Sequence, residues 1–470
     1  LESVEILEER MHSNERRHFG WLLCRVNYHE QQPELIQLPL AIHNFRPEMN
    51  YADTDAAICK ISRTDTGKEY VLMDALYDEE YRMALLNGFE EFGAPKNFIF
   101  EPSEELNAAK GQDVIIDHSG PEYMILQSRD ITLKYYRHVD VSEIPDLEVK
   151  KALSKHKFEA SPHILGTLIF KLDATYRTTV ATYEERENTS GLAWDLVTNQ
   201  FQRFAEEVLA QYRQNDGESP VAGSIKQIGI TDKVTYKDMP ELIQEVLGAA
   251  FVQRMAELGR ATAEYHRHLS QVDAPAFKTE ALSLHYQRSL YAGHKAQMRT
   301  TFTLLDKKIG ELTEMDQELA KELRSQEAKI HQLLKRVYRH KIEADKIRIH
   351  GDYTLEQVHL KDEGFLIRNF DGDPDQAFSQ RRLRRSPSKD LANMLRSFNY
   401  AAMLAQQEQG TLPDETRAYL NDWLELASHC ISAEFLTAYR KATVDTRLLP
   451  ADEQDYAVML DTFMIEKSLQ

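Results

Sequence analysis

Cysteine is scarce in this chain, and its placement excludes two kinds of architecture. Cys24, Cys59 and Cys430 are scattered, odd in number and without CxxC spacing. They frame neither a disulfide scaffold nor a zinc site, and a reducing cytoplasm is the expected home. Long apolar runs are missing as well: none approaches the roughly 20 residues of a membrane-spanning helix, so an integral helical membrane protein is excluded. Positive charge is in deficit. The 57 basic residues face 76 acidic ones, for a net charge of −19, and a field of that sign repels polyphosphate backbones. Nucleic acid is therefore not an expected partner, whereas ATP stays open because a local site can invert the global sign. Nothing at the N-terminus resembles a signal peptide, since charges break it up from Glu2 onward. The first residue is Leu1 and not Met, which leads us to expect the downstream part of a longer polypeptide.

What is present is ordinary for a folded protein. With 42% hydrophobic and 28% charged residues in 470 positions, two or three globular domains are expected. Strand-like runs at 19–28, 35–42, 56–61 and 70–76 precede a helical stretch over 78–89. Residues 94–112, rich in Pro, Asn, Glu and Gly, predict a linker. Strand character returns at 113–116, 123–126 and 131–137. A helix follows over 145–155, then a hairpin over 164–183 turning at Asp-Ala-Thr. Beyond Trp194 the pattern is helical almost throughout. The longest periodic run, 285–345, predicts a long helical hairpin or arm, because Gly310 and a broken heptad argue against a coiled coil. Two short hydrophobic strands, around 347–352 and 364–369, interrupt the helices, and each ends in oxygen-bearing residues. The fold class is α+β.

Three features carry chemistry. Lys134 is the only charge within the strand run ITLKYY at 131–136, and Glu148 lies in the next helix. A strand lysine paired with a helix glutamate positions ATP phosphates in kinase-type sites, although such a pair is also a common surface ion pair. The second feature is HGDYTLEQ at 350–357. An Asp just past a strand, with an amide five residues on, matches the spacing of a catalytic base, Asp352, and a metal ligand, Gln357; a turn capped by Asp is the plainer reading. The third is NFDG at 369–372, where a second loop would deliver oxygens to the metal from Asn369 and Asp371. Acidic residues beside Gly also form simple turns.

These motifs, with FDGDP at 370–374 and the long run QRRLRRSPSKDLANMLRSFNYA at 380–401, resemble the bacterial maltokinases. DALYD at 74–78, IPDLE at 144–148 and LGRATAEYH at 258–266 extend the resemblance to essentially the whole chain. It implies a two-lobed, protein-kinase-like fold of the aminoglycoside phosphotransferase type. The parts would be a cap domain over 1–93, a nucleotide-binding lobe over 94–190 and a helical lobe over 191–470. The implied activity is transfer of the γ-phosphate of ATP, with Mg²⁺, to the anomeric hydroxyl of maltose, feeding α-glucan synthesis. A trehalose synthase domain, fused or associated, is the implied partner. Carried over by position, Lys134 would contact phosphates and Glu148 would hold it. Asp352 would be the base, and Gln357, Asn369 and Asp371 would serve the metal. Asp390 and Arg396 would line or support the sugar side. Trp423 and Tyr439 are aromatic candidates for the sugar pocket, although aromatics at helical spacing usually belong to a core.

The chain also departs from the family. Asn369 stands where an Asp is expected and removes a charge from the cation. SGPEY at 119–123 replaces a polar phosphate loop with a Pro and an acid. Thr354 and Glu356 replace a His and a Gly of the catalytic loop, and GLAW at 191–194 lacks an Asp. Because phosphoryl transfer depends on neutralising developing charge, a deficit of ~3 kcal/mol would slow it about a hundredfold. A degenerate, non-catalytic module that binds a sugar or docks onto a trehalose synthase is the second expectation.

Overall fold

The computed structural model describes residues 1–13, 18–29, 33–47, 51, 55–89, 97–108, 113–139, 144–171, 177–215, 228–374, 376 and 378–470. Residues 94–96 and 109–112 of the expected linker and the turn at 173–175 lie outside them, whereas 97–108 carries a strand and a short helix in place of a linker. The chain divides into two compact units, one of residues 1–154 and 162–188, the other of 155–161 and 189–470.

The first unit begins with β1 (Ser3–Ser13), β2 (His18–Asn27), β3 (Glu34–Asn44), β4 (Ala57–Ser62), β5 (Glu69–Asp74) and α1 (Glu79–Leu86). It continues through β6 (Phe98–Pro102), α2 (Glu104–Ala108), β7 (Ile115–Ser119), β8 (Tyr123–Gln127), β9 (Ile131–Tyr136), β10 (His138–Val139), α3 (Pro145–Lys155), β11 (Ile164–Lys171) and β12 (Arg177–Glu185). One sheet runs β1-β2-β3-β5-β4 with β10 added on β3; the other runs β6-β11-β12-β9-β8-β7. Period-two alternation puts Phe19, Trp21 and Leu23 on the buried face of β2. There Trp21 packs against Phe98 and Phe170, at ring-centroid distances of 5.0 and 4.7 Å. Both sheets contribute to one continuous core. Gln37 is the polar tie within it. Its Oε1 accepts from Trp21 Nε1 at 2.9 Å, and its Nε2 donates to the carbonyls of Tyr136 and of Val180, the latter at 3.1 Å. A buried amide used at both ends avoids the cost of an unpaired polar group.

The second unit is mostly helical: α4 (Ala193–Gln214), α5 (Glu241–Ser270), α6 (Leu284–Lys308), α7 (Glu314–Ser325), α8 (Glu327–Lys335), α9 (Phe378–Arg381), α10 (Ser388–Glu408), α11 (Asp414–Ala442) and α12 (Glu453–Ser468). Its strands are short: β13 (Glu280–Ala281) pairs with β14 (Asp345–Lys346), and β15 (Val358–Leu360) with β16 (Phe365–Ile367). The periodic run at 285–345 comes out as α6, α7 and α8. Gly310 sits in the 3₁₀ turn that ends the first, and the Thr313 hydroxyl accepts from Asp316 N at 3.3 Å to cap the second. The strand expected around 347–352 is reduced to a single bridge between Ile347 and Arg385, directly after β14. Among the described residues, no helix is long and apolar enough to cross a membrane.

α5 and α11 pack closely because Gly259 has no side chain: a Cβ there would run into the Phe435 carbonyl oxygen. Gly259→Ala is expected to cost about 1–3 kcal/mol through forced separation of the two helices. A fall in the urea midpoint of the second unit's unfolding is the readout, and an unchanged midpoint would refute this account of the crossing.

Candidate active site

The loop at 350–352 is held from beneath by one carboxylate. Asp390 stands in the first turn of α10, where the helix dipole favours a negative charge, and it is fully buried. Its Oδ2 accepts from the backbone N–H of His350 at 2.8 Å, and its Oδ1 accepts from that of Gly351 at 2.9 Å. Its third donor is His266 Nε2 at 3.0 Å, whose Nδ1 meets the Tyr439 hydroxyl at 2.9 Å. Burial alone would raise the Asp390 pKa. The His266 hydrogen bond and charge, the nearby His350 and the Gly351 N–H outweigh that and hold it below the ordinary aspartate value.

Two helical faces build this support. Along α10, Asp390, Asn393 and Ser397 follow i, i+3, i+7 spacing and share one side. Asn393 Nδ2 donates to Gly351 O at 3.2 Å, and Ser397 Oγ accepts from Leu355 N at 3.1 Å. Along α5, Gly259, Thr262 and His266 repeat the spacing. The Thr262 hydroxyl lies 2.9 Å from that of Tyr353. LGRATAEYH is thus a support motif, with a close-packing glycine, a hydroxyl and an imidazole on one face. The sequence displayed it without disclosing these roles. Gly351 itself needs its residue type: its φ is 86°, and a Cβ would stand 3.3 Å from Gly372 Cα. The catalytic-type loop and the loop after β16 therefore touch glycine to glycine.

The side chain of Asp352 is 27% exposed, open to a solute, with Lys467 Nζ 3.9 Å from its Oδ1. Gln357 and Asn369 are brought together. Asn369, at φ 59°, donates from Nδ2 to Gln357 Oε1 at 2.9 Å. Asp371 and Asp373 follow in the same loop. Among the described residues, no group of three or more His, Cys, Asp or Glu is arranged to hold a metal ion.

Beside these loops opens a cavity of about 450 Å³, walled by α6, α10 and α12. Ser289, His294, Gln297, Lys389 and Glu466 line it, with Asp373 from the loop. Glu466 accepts from Lys389 Nζ at 2.9 Å and lies 3.4 Å from His294 Nε2. Burial alone would raise its pKa, but the His294 hydrogen bond and the Lys389 charge prevail and hold it at about 2. Asp390, Arg396, Trp423 and Tyr439 are not among the residues lining the cavity. Trp423 and Tyr439 are buried in the helical core, and Asp390 serves loop backbone. Arg396 binds Asn399 Oδ1 at 2.6 Å and lies over the Tyr400 ring.

Lys134 and Glu148 belong to the first unit and are both buried. Lys134 Nζ lies 3.7 Å from Asp146 Oδ2 and 4.4 Å from the centre of the Tyr123 ring. Asp146 also accepts from Lys150 at 2.9 Å, and Lys150 donates to Glu184 at 2.7 Å. Burial would lower the Lys150 pKa, yet Asp146 and Glu184 raise it and keep the ammonium charged. Sequence reasoning named Glu148 and overlooked Asp146, Lys150 and Glu184. The i, i+4 spacing of Asp146 and Lys150 was the available signal.

No family model matches this chain. Among solved structures it is similar to a glucosamine kinase in complex with glucosamine, ADP and inorganic phosphate. The TM-score is 0.58 at 15% identity, over 98% of this chain and 88% of that one. Crystal form B of glucosamine kinase gives 0.57 at 16%, over 98% and 88%. At that identity the likeness is one of fold, and the α+β kinase-like architecture is shared.

Two outcomes follow. Asp390→Asn puts an N–H₂ against donors and is expected to cost about 2–4 kcal/mol, read by urea denaturation; a loss below about 0.5 kcal/mol would refute its anchoring role. Glu466, lowered from an ordinary 4.5 to about 2, contributes stability that is complete above pH 4.5 and lost as pH falls towards 2. The contribution is on the order of 3 kcal/mol. Glu466→Gln should flatten that acid limb in a pH series of melting curves.

Proposed function

We propose that this chain is an ATP- and magnesium-dependent sugar kinase that phosphorylates maltose, or a related sugar, at its anomeric hydroxyl. The reading is carried by one observation: a solvent-open Asp352 on a loop clamped by Asp390, beside a polar cavity of about 450 Å³. That size suits a small polar ligand, and hydroxyl, amide and imidazole groups suit a sugar. The fold shared with glucosamine kinase, which holds glucosamine and ADP in its complex, supports the class of reaction. Maltose is favoured by the motifs at 350–357, 370–374 and 380–401.

Magnesium asks for oxygen ligands and accepts a site completed by phosphates and water. Gln357 Oε1, Asn369 Oδ1 and the Asp371 carboxylate supply that donor type, and Oε1 keeps a second lone pair beyond its bond to Asn369. The residues fit, and the ion would neutralise charge on the transferring phosphoryl group. Asp352 would take the hydroxyl proton as the sugar oxygen bonds to the γ-phosphorus and ADP leaves. Lys134, beside the carboxylate of Asp146, would pair with phosphate oxygens.

A second reading draws on the same contact. With a neutral Asn369 turned on Gln357, the loop offers less charge to a cation than an aspartate would, which favours a weakly active or non-catalytic sugar-binding module. ADP release with maltose, glucosamine and trehalose separates the readings. Asp352→Asn should lower maltose-dependent turnover by about 10²–10⁴ without moving the melting temperature. Asn369→Asp should raise it by up to about a hundredfold. If neither the parent chain nor Asn369→Asp binds nucleotide, the kinase reading fails and the binding-module reading stands.

A further inference from the structure

The last turn of α12 is tied down at several points, and what it presents is a lysine. Helix ends fray unless their terminal groups find partners. Here the Glu466 carbonyl accepts from Gln297 Nε2 at 3.1 Å, and the Leu469 carbonyl accepts from the Thr301 hydroxyl at 2.7 Å, both donors standing on α6. The Leu469 side chain is buried with Met298, Phe302 and Leu334. The Glu466 carboxylate is held by Lys389 of α10. Neighbouring residues on a helix point about 100° apart, so turning Glu466 to the cavity sets the direction of Lys467. The Lys467 Nζ stands 3.9 Å from Asp352 Oδ1, with the two side chains 26% and 27% exposed.

A pair this open and this long contributes little to stability, so stability does not account for the placing. The chemistry at Asp352 does. From Asp352 to Gln357 the loop reads DYTLEQ and carries no basic residue, although charge on a transferring phosphoryl group has to be neutralised. The neutral Asn369 leaves more of that task to fixed cations. An acceptor hydroxyl sits within about 3 Å of its base, and the phosphorus bonds to that same oxygen. An ammonium beside the base, on a flexible stem with three donors, reaches the phosphoryl oxygens.

We propose that Lys467 is a catalytic residue that binds the transferring phosphoryl group, supplied to the loop by α12. The inference rests on the kinase reading of Asp352. As the sugar oxygen bonds to the γ-phosphorus, the bond from phosphorus to the β–γ bridging oxygen breaks. ADP leaves with the electron pair, and the hydroxyl proton passes to Asp352. Lys467 stays protonated and donates to a phosphoryl oxygen, exchanging a carboxylate that is losing its charge for a phosphate that keeps its own.

Two measurements on the full chain test it: calorimetric titration with maltose and with maltose 1-phosphate, and ADP release with maltose. Lys467→Met should weaken maltose 1-phosphate binding about tenfold or more and leave maltose binding within about twofold. It should lower kcat at least tenfold with little change in the KM for maltose. Lys467→Arg should retain most of both properties, and melting temperatures establish that the variants are folded. A parent chain without maltose-dependent turnover sinks the kinase reading; a loss confined to the phosphorylated sugar then still assigns Lys467 to phosphate. Turnover and maltose 1-phosphate affinity unchanged in Lys467→Met overturn the inference and leave the kinase reading standing. Equal losses for maltose and its phosphate, or no binding of maltose 1-phosphate by the parent, overturn it as well.

Discussion

The buried carboxylate of Asp390 is the constraint on which the second unit's site depends. It takes two successive backbone N–H groups of the loop at 350–352 and an imidazole N–H from α5. A carboxylate removed from water is unfavourable unless its lone pairs are answered, so α10, α5 and the loop are fixed relative to one another by one group. The conformation of Gly351 and its contact with Gly372 follow, because only a chain without a Cβ fits the turn that presents both N–H groups to one acid.

The first unit solves a related problem differently. Its charged cluster holds Lys134, Asp146, Lys150 and Glu184, all buried, with two lysines sharing the carboxylate of Asp146. Each ion is desolvated and gains a partner at close range, and Asp146 and Glu184 keep Lys150 charged. The cavities of the second unit show the same logic at a surface. In the one beside the loops, Lys389 and His294 offset Glu466; in another, lined by Tyr286 and Arg385, Glu280 is shared by Lys346 and Arg384.

Much of the fold was legible in the sequence. α3 and the strands β11 and β12 follow from local propensity, and the break after α6 from Gly310. The loop motifs were legible too, because HGD and NFDG keep their chemistry within a few residues of each other. The supporting roles of His266, Thr262 and Asn393 were not, since they depend on which face of α5 and α10 meets the loop. Trp423 and Tyr439 are both buried in the helical core, and an aromatic on a helix has the same appearance in sequence whether it faces a ligand or a core.

By itself the sequence determined the local terms: helix ends, strand alternation, the absence of a membrane-length apolar helix, and the order of Asp352, Gln357, Asn369 and Asp371 along the chain. These are set by neighbours a few residues away. Tertiary structure alone decided that Asp390 faces backbone, that Asn369 meets Gln357, and that Lys346 and Arg382 share a cavity. Such pairings join positions 12 to 40 residues apart, and a distance in space across folded elements is not encoded by any spacing along the chain.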